Sequence, residues 1–362
     1  HKKDKEVKMS TKEAAPWESP TSGESSSRSL TICRAQREAV DWEMEHDERV
    51  FMMGEDVAGF GGVFGTADGL GDKFGSDRVI DMPISETGWI GMAAGAAMEG
   101  MRPIIELAYV DFIGVCYNAI VNHAAKTYFM SGGQFKVPMV LISGTGAGYS
   151  NAAQHSQCLH ATLAHMPGLK VVSPTNAYDA KGMMHTAIRD DNFVVFLVHK
   201  GASGVGFMGP LVKTSLSDVP QEDYTVPFGK IKVYREGTDV TIAGVGLAVH
   251  QALQSADSLA KMGISAEVVD IRSLVPLDRE GIIESVAKTG RLVVADEDYH
   301  SYGVSGEVIA SVIERDATIF KAPPQRVCIP DVSIPFSRPL EYSILPLEER
   351  ITSAALKTIE NV

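Results

Sequence analysis

Short apolar runs alternate with segments of helical period along this chain. Residues 31–46 place Ile32, Ala35, Ala39 and Met44 at helix spacing, and 50–53 is a brief apolar strand ended by Gly54-Glu55-Asp56. A Gly-rich loop follows at 60–71. Strands are expected at 78–81, 103–108, 137–143, 170–173 and 193–199, with helices at 89–99, 112–130 and 177–189 between them. Residues 201–223 are rich in Gly, Pro and Ser without periodicity and predict a linker. A second run then opens, with strands at 239–244, 266–270 and 291–296 and helices at 248–262, 279–287 and 304–315. A Pro-rich stretch, 330–346, precedes a last helix at 347–360. Such alternation predicts an α/β fold of two doubly wound parallel-sheet domains. The division expected is a domain at 30–205, a linker at 206–223 and a second domain at 224–362. The two halves share a style but no sequence repeat.

Composition narrows the class. The 362 residues are 44% hydrophobic with a mean hydropathy of +0.01, as in a globular protein of two ordinary domains. A formal net charge of -13 argues against nucleic acid or an anionic membrane as the main partner. No stretch is long and apolar enough to span a bilayer. Cys33, Cys116, Cys158 and Cys328 are scattered without C-x-x-C spacing, so neither a disulfide framework nor a zinc site is expected. A reducing compartment fits, cytoplasmic or the mitochondrial matrix. Residues 1–29 carry Lys, Glu, Ser and Pro with little periodicity and predict a disordered tail. The chain begins with His, and Met9 follows a charged run, which suggests tag-derived sequence in that tail.

One segment concentrates the candidate chemistry. In Asp81-Met82-Pro83-Ile84-Ser85-Glu86-Thr87-Gly88-Trp89, a carboxylate stands between an apolar strand and an Ala/Gly-rich helix. A carboxylate in that setting is costly unless something pairs with it. The aminopyrimidine ring of thiamine diphosphate is one cofactor group that pairs well. A helix-capping or salt-bridged Glu is the plainer alternative.

Further motifs stand in order around it. Gly54-Glu55-Asp56 and Gly61-Gly62-Val63-Phe64 come before Pro83-Ile84-Ser85-Glu86. Gln154-His155-Ser156-Gln157 follows Gly144-Thr145-Gly146-Ala147-Gly148, and Pro167-Gly168-Leu169-Lys170-Val171-Val172-Ser173-Pro174 precedes Asp179-Ala180-Lys181-Gly182. Together they resemble the beta subunit of the thiamine-dependent decarboxylating component of 2-oxo acid dehydrogenase complexes, the family of pyruvate, branched-chain and acetoin dehydrogenases. The resemblance runs from about Leu30 to the C-terminus. It implies the pyrimidine-binding and C-terminal domains of the transketolase-like family.

The resemblance also implies roles. Glu86 becomes the proton-exchange partner of the aminopyrimidine and, with His155, a catalytic residue. Ile84 and Phe112 join Glu86 in holding the cofactor. His155 orients or protonates the intermediate, or assists acyl transfer to a lipoyl group. His165 supports structure, and His160 is a candidate for the substrate channel. Backbone oxygens of Met139, Ala187, Ile188 and Asp190, with Asn192, form a potassium site of hard oxygen donors. A helix C-cap is the alternative there.

Family members hold magnesium and the diphosphate through a Gly-Asp-Gly motif, which this sequence lacks; Ala67-Asp68-Gly69 is the nearest match. The resemblance therefore implies half an active site. An alpha subunit supplies the magnesium and diphosphate half, in an alpha2beta2 heterotetramer that serves a lipoyl-bearing acyltransferase core. Three departures from the family pattern fall near the pocket. They are Gly65 after Val63-Phe64, Asn118-Ala119 where Asp-Gln is usual, and Lys200-Gly201-Ala202 where acidic and Leu-Tyr residues are usual. They keep two alternatives open, a two-subunit carboligase or transketolase-like enzyme and, from another class, a non-catalytic scaffold subunit.

Overall fold

The structure, a computed structural model, describes residues 28–204 and 210–360. Most of the expected tail lies outside the described residues. Arg28 and Ser29, counted with that tail, are held in place. Arg28 pairs with Glu38, and Ser29 joins a strand.

Among the described residues, fourteen strands form three sheets. In chain order they are β1 (Ser29–Leu30), β2 (Val50–Gly54), β3 (Val79–Asp81), β4 (Arg102–Tyr109), β5 (Val140–Thr145), β6 (Leu169–Val172) and β7 (Phe193–His199). There follow β8 (Ser217–Asp218), β9 (Lys232–Arg235), β10 (Val240–Gly244), β11 (Ala266–Asp270), β12 (Ser273–Val275), β13 (Leu292–Tyr299) and β14 (Gln325–Ile329). The first large sheet runs β12-β6-β7-β5-β4-β2-β3 and the second β14-β13-β10-β11-β9. Within each sheet the pairs are parallel except at one edge, where β12 lies antiparallel to β6 and β9 antiparallel to β11. β2, β5, β7, β10 and β11 are buried along their whole length, which is why they are mostly apolar, with buried polar exceptions such as Thr241, Glu267 and Asp270.

The helices start where caps dictate. Thr31 caps Ile32–His46, Asn176 caps Ala177–Arg189, and Asp278 caps Arg279–Thr289, each accepting a main-chain N–H through its side chain. The helix expected over 112–130 is not uniform. It opens as a tight turn, Val110–Phe112, and contains a π-helical segment, Ala119–Ala124, between Ile113–Asn118 and Ala125–Met130. Such wide turns often mark functional positions. This one begins at the departure Asn118-Ala119.

The linker reading needs correction. Lys200–Ser203 is a short helix, β8 pairs with β1, and Val212 and Val219 are buried. Residues 205–209 lie outside the described residues; from 210 to 223 the stretch is packed against the first sheet's helices because its apolar side chains have a surface to cover. The edge strand β12 likewise belongs to the first sheet although it lies in the second half of the chain.

A polar seam joins the two sheets' layers. Asp179 is 1% exposed, and its oxygens meet Arg272 Nη1 at 2.8 Å and Lys232 Nζ at 3.2 Å. Thr175 donates to Asp270 at 2.6 Å, and its carbonyl meets His250 Nε2 at 2.8 Å. No helix among the described residues is long and apolar enough to cross a membrane. Asp179→Ala leaves the buried Arg272 without its counter-charge, a loss of about 3 kcal/mol. The urea midpoint is therefore expected to fall without a change in slope, and an unmoved midpoint would remove Asp179 from the seam.

Candidate active site

The carboxyl ends of β2, β3, β4, β5 and β7 open on one edge of the first sheet, where parallel α/β sheets bind ligands. Glu86 stands there as the first residue of the helix Glu86–Met98 and is 7% exposed. Among the described residues its carboxylate has no hydrogen bond or ion pair. The helix N-terminus favours its charge. Burial, then the charges of Glu86 and Asp56, push the neighbouring Glu55 carboxyl above its usual range. Ile84 is 86% exposed, and Met92 and Val115 beside it also face outward. Gly91 and Gly95 open the same helix to solvent, with nothing within 4 Å of where a Cβ would stand. Thr87 donates to Val115 O at 2.8 Å and ties this helix to the segment that carries Phe112.

Phe112 and His155 come together. Their ring centroids are 5.5 Å apart and edge-on. Tyr109 stands 4.5 Å from His155 and 5.6 Å from Phe112, and Phe64 of the Gly-rich loop meets Tyr109 at 5.6 Å. That loop is secured by Glu106, which accepts from the Thr66 hydroxyl. Burial pushes the Glu106 carboxyl up to about 7 against the opposing pull of Thr66 and the Val63 N–H.

The loop from Gly146 to Leu159 presents His155, and carboxylates from the second half hold it. Ala147 N donates to Glu297 Oε1 at 2.6 Å, Gly148 N to Glu341 Oε1 at 2.8 Å, and Ser150 N to Glu341 Oε2 at 3.1 Å. Gln157 donates from its side chain to Asp111 Oδ1 at 2.9 Å. Gly146 is irreplaceable here: its φ is +89°, and a Cβ would lie 2.0 Å from His199 Nε2.

His199 and Glu297 are the buried pair that sequence reasoning missed. They stand 98 residues apart in the chain, and no local pattern announces them. His199 Nε2 meets Glu297 Oε2 at 2.8 Å, while its Nδ1 accepts from Gly201 N at 3.0 Å. The ring proton therefore sits on Nε2, facing Glu297. Burial opposes the charge of Glu297, but His199, the Ala147 N–H and Lys200 outweigh it and hold the carboxyl below its usual range. Cys158 completes a trio whose ligand atoms lie within 4.8 Å of one another. Within this trio only His199 and Glu297 are joined by a hydrogen bond, and burial pushes the Cys158 thiol far up.

His160, expected in the substrate channel, is instead 3% exposed and paired with the second half of the chain. Its Nε2 lies 2.9 Å from Asp296 Oδ1 and 3.7 Å from Asp298 Oδ2. Burial opposes its charge, yet these carboxylates prevail and raise it to about 9. His165 is exposed at the end of the helix His160–Ala164, and His123 is exposed with Asn118 at 3.0 Å. A groove of about 1020 Å³ beside Leu159, Leu274 and Tyr302 contains none of Glu86, Phe112 and His155.

The expected potassium ligands lie elsewhere, at the opposite end of the strands. Arg102 Nη1 donates to the carbonyls of Ile188 at 2.9 Å and Asp190 at 3.0 Å. Asp190 N meets Ala187 O at 3.3 Å, and Met139 O accepts from Val194 N at 3.0 Å. The Asn192 side-chain amide donates to Asp190 Oδ1 at 2.7 Å. A guanidinium thus serves two of these carbonyls, Ile188 and Asp190, while those of Met139 and Ala187 accept main-chain N–H groups.

Two family models match the chain: the transketolase pyrimidine-binding domain over residues 28–204 and the transketolase C-terminal domain over 229–351. An acetoin:2,6-dichlorophenolindophenol oxidoreductase subunit beta from Cupriavidus necator is 43% identical, covering 92% of this chain and 98% of that protein. A pyruvate dehydrogenase E1 component subunit beta from Rickettsia felis is 44% identical over 91% of this chain and 98% of its own length. The chain belongs to this family of E1 beta subunits. A solved split-gene transketolase, an inactive beta4 tetramer, superposes with a TM-score of 0.73 over 92% of this chain and 99% of that one; at 24% identity it shows the fold alone.

Among E1 beta subunits thiamine diphosphate is the expected cofactor, and the residues present fit its aminopyrimidine: a buried, unpartnered Glu86, whose helix is tied by Thr87 to the segment that carries the aromatic Phe112. Among the described residues no Gly-Asp-Gly motif stands ready for the diphosphate. The Arg102 arrangement yields a test at constant ionic strength. Exchanging potassium for sodium or choline is expected to leave the melting temperature unchanged. A rise specific to potassium would show that the cation displaces the guanidinium.

Proposed function

We propose that this chain is the beta subunit of a two-subunit thiamine diphosphate-dependent enzyme. It decarboxylates a 2-oxo acid, or cleaves acetoin, and passes the acyl group to a lipoyl carrier. The observation that carries this reading is Glu86, a buried carboxylate without a partner at the ligand-binding edge of the sheet. A fold gains little stability from such a group, which has a helix N-terminus and residual water beside it but no hydrogen-bonding partner.

When bound, thiamine diphosphate supplies the nucleophilic carbon and the electron sink. Glu86 holds and exchanges a proton with the aminopyrimidine ring. Phe112 offers that ring an aromatic wall, and the exposed Ile84 covers its edge. His155 stands at the end of the aromatic row Phe64, Tyr109, Phe112 and moves a proton at the reacting end of the substrate.

An alpha subunit completes the site. The surface beside Glu86, with Ile84, Met92, Val115 and the bare Gly91 and Gly95, is apolar and lets another backbone come close. Magnesium and the diphosphate are held by that partner, and the assembly is an alpha2beta2 heterotetramer within a multienzyme complex.

The isolated chain should bind thiamine diphosphate weakly, because it lacks the charge-assisted phosphate contacts. Calorimetry showing tight, magnesium-dependent binding without a partner would overturn the half-site reading. In the reconstituted pair, Glu86→Gln is expected to assemble normally and lose about 10²–10⁴-fold in turnover, since an amide exchanges no proton. Turnover close to wild type in that variant would remove Glu86 from the chemistry.

A further inference from the structure

Lys200 is one of the largest fully buried side chains, at 2% exposed. An ammonium is strongly hydrated, and taking it out of water is costly. Among the described residues it has no ion pair. Its hydrogen bond goes to a single neutral acceptor, the main-chain carbonyl of His155. Its charge also stands 5.0 Å from the centre of the Tyr109 ring, the ring that meets the His155 imidazole edge-on at 4.5 Å. Lys200 therefore registers both the backbone of His155 and the aromatic neighbour of its side chain.

The ammonium is itself aimed from a fixed base. Lys200 follows His199, whose two ring nitrogens are bonded to Gly201 N and Glu297. It opens the short helix Lys200–Ser203 at the carboxyl end of β7. Methionine would fill the same space without the desolvation cost. The placement of a bare charge on the carbonyl of the candidate catalytic residue asks for a functional reason.

We infer that Lys200 is a positioning residue of the active site: its ammonium grips the His155 carbonyl and sets where the imidazole stands. The inference rests on the catalytic reading of His155 given above. Burial lowers the Lys200 ammonium to about 8, against the opposing pull of Asp111, Cys158, Glu297 and Glu341. With Tyr109 of β4, these are the charged and titratable groups that face it, from the Val110–Phe112 turn, the His155 loop, β13 and the helix Arg338–Ile344. As pH rises through this value the charge leaves and the grip on the carbonyl weakens. The linkage to stability has the opposite sign. The unfolded lysine titrates near ~10.4, so between the two values the unfolded chain binds more protons, and Lys200's contribution to stability rises with pH. Activity and stability therefore part company on the alkaline side.

The test uses the enzyme reconstituted with its partner, in four forms: wild type, Lys200→Met, His155→Ala and the double variant, with Lys200→Arg as the conservative control. Lys200→Met is expected to lose on the order of 10–100-fold in kcat by misplacing the imidazole, with KM and melting temperature held. In the His155→Ala background the same change should cost nothing further. Lys200→Arg should recover part of the loss and move the alkaline limb of the wild-type pH profile upward, since a guanidinium stays charged. An additive loss in the double variant, or a full-rate Lys200→Met, overturns the inference while leaving His155 catalytic. A full-rate His155→Ala is a different failure, which removes the reading beneath it. Should Lys200→Met fail to assemble, the pH profile decides: an alkaline limb that Lys200→Arg does not move overturns the inference.

Discussion

The site depends on two buried carboxylates of the second half of the chain, Glu297 and Glu341, that hold the main-chain N–H groups of Ala147, Gly148 and Ser150. Hydrogen bonds to charged groups contribute about 1.5–3 kcal/mol each. They act on a loop with an unfavourable backbone: Gly146 and Gly148 at φ +89° and +103°, and Ser150, Ala152 and Leu159 also at positive φ. Without the carboxylates that loop has little reason to keep one shape. With them, His155 is presented by the first sheet and held by the second. The two layers are therefore one functional unit, although each has its own parallel core. The ion pairs His160–Asp296 and Asp179–Arg272 draw the same two layers together on either side of the loop.

Charge is distributed unevenly along the first sheet. At the amino ends of its strands, every charge singled out has a partner: Arg102 serves two carbonyls and Asp191, and Lys170 pairs with Asp190. At the carboxyl ends lie Glu86 without a partner, Glu55 with a buried oxygen unsatisfied, Glu106 with its carboxyl raised by burial, and Lys200 on a lone carbonyl. Both ends are built from the same strands, so the difference is not one of folding. Uncompensated groups collect where a ligand is to provide the compensation.

Much of this was legible in the sequence, for a physical reason. Buried parallel strands read as mostly apolar runs, and 193–199 and 177–189 coincide with β7 and the helix Ala177–Arg189 residue for residue. Glu86 was legible because a carboxylate between two apolar elements stands out locally. Edge strands β9 and β12 and the strand β14 were missed. β9 and β12 bury less or run only three or four residues, too short for a period. The packed linker was missed because Gly and Pro report backbone freedom, not whether neighbouring apolar side chains find a surface. The His199–Glu297 pair and the burial of His160 come from contacts across the fold, which no window along the chain contains. The carbonyls of Ile188 and Asp190 make the same point: the Arg102 guanidinium that meets them comes from more than 80 residues away in sequence.

The unpartnered Glu86 and the bare helix beside it are one design. A complete site within a single chain would surround the carboxylate with its own cofactor-binding loops. Here the Glu86 helix shows solvent a face of Gly91, Met92 and Gly95, and Ile84 projects beyond it. Small residues let a second backbone approach, and apolar ones reward its arrival with buried area, at about 25 cal/mol per Å² removed from water. The same approach shuts water away from Glu86, which strengthens each electrostatic contact made there. On the proposed function, assembly and activation are coupled through one surface. In the chain alone the carboxylate keeps a residual exposure of 7%. Covered by the proposed partner, it would have only the cofactor to exchange with, which is the condition the proposed proton transfer requires.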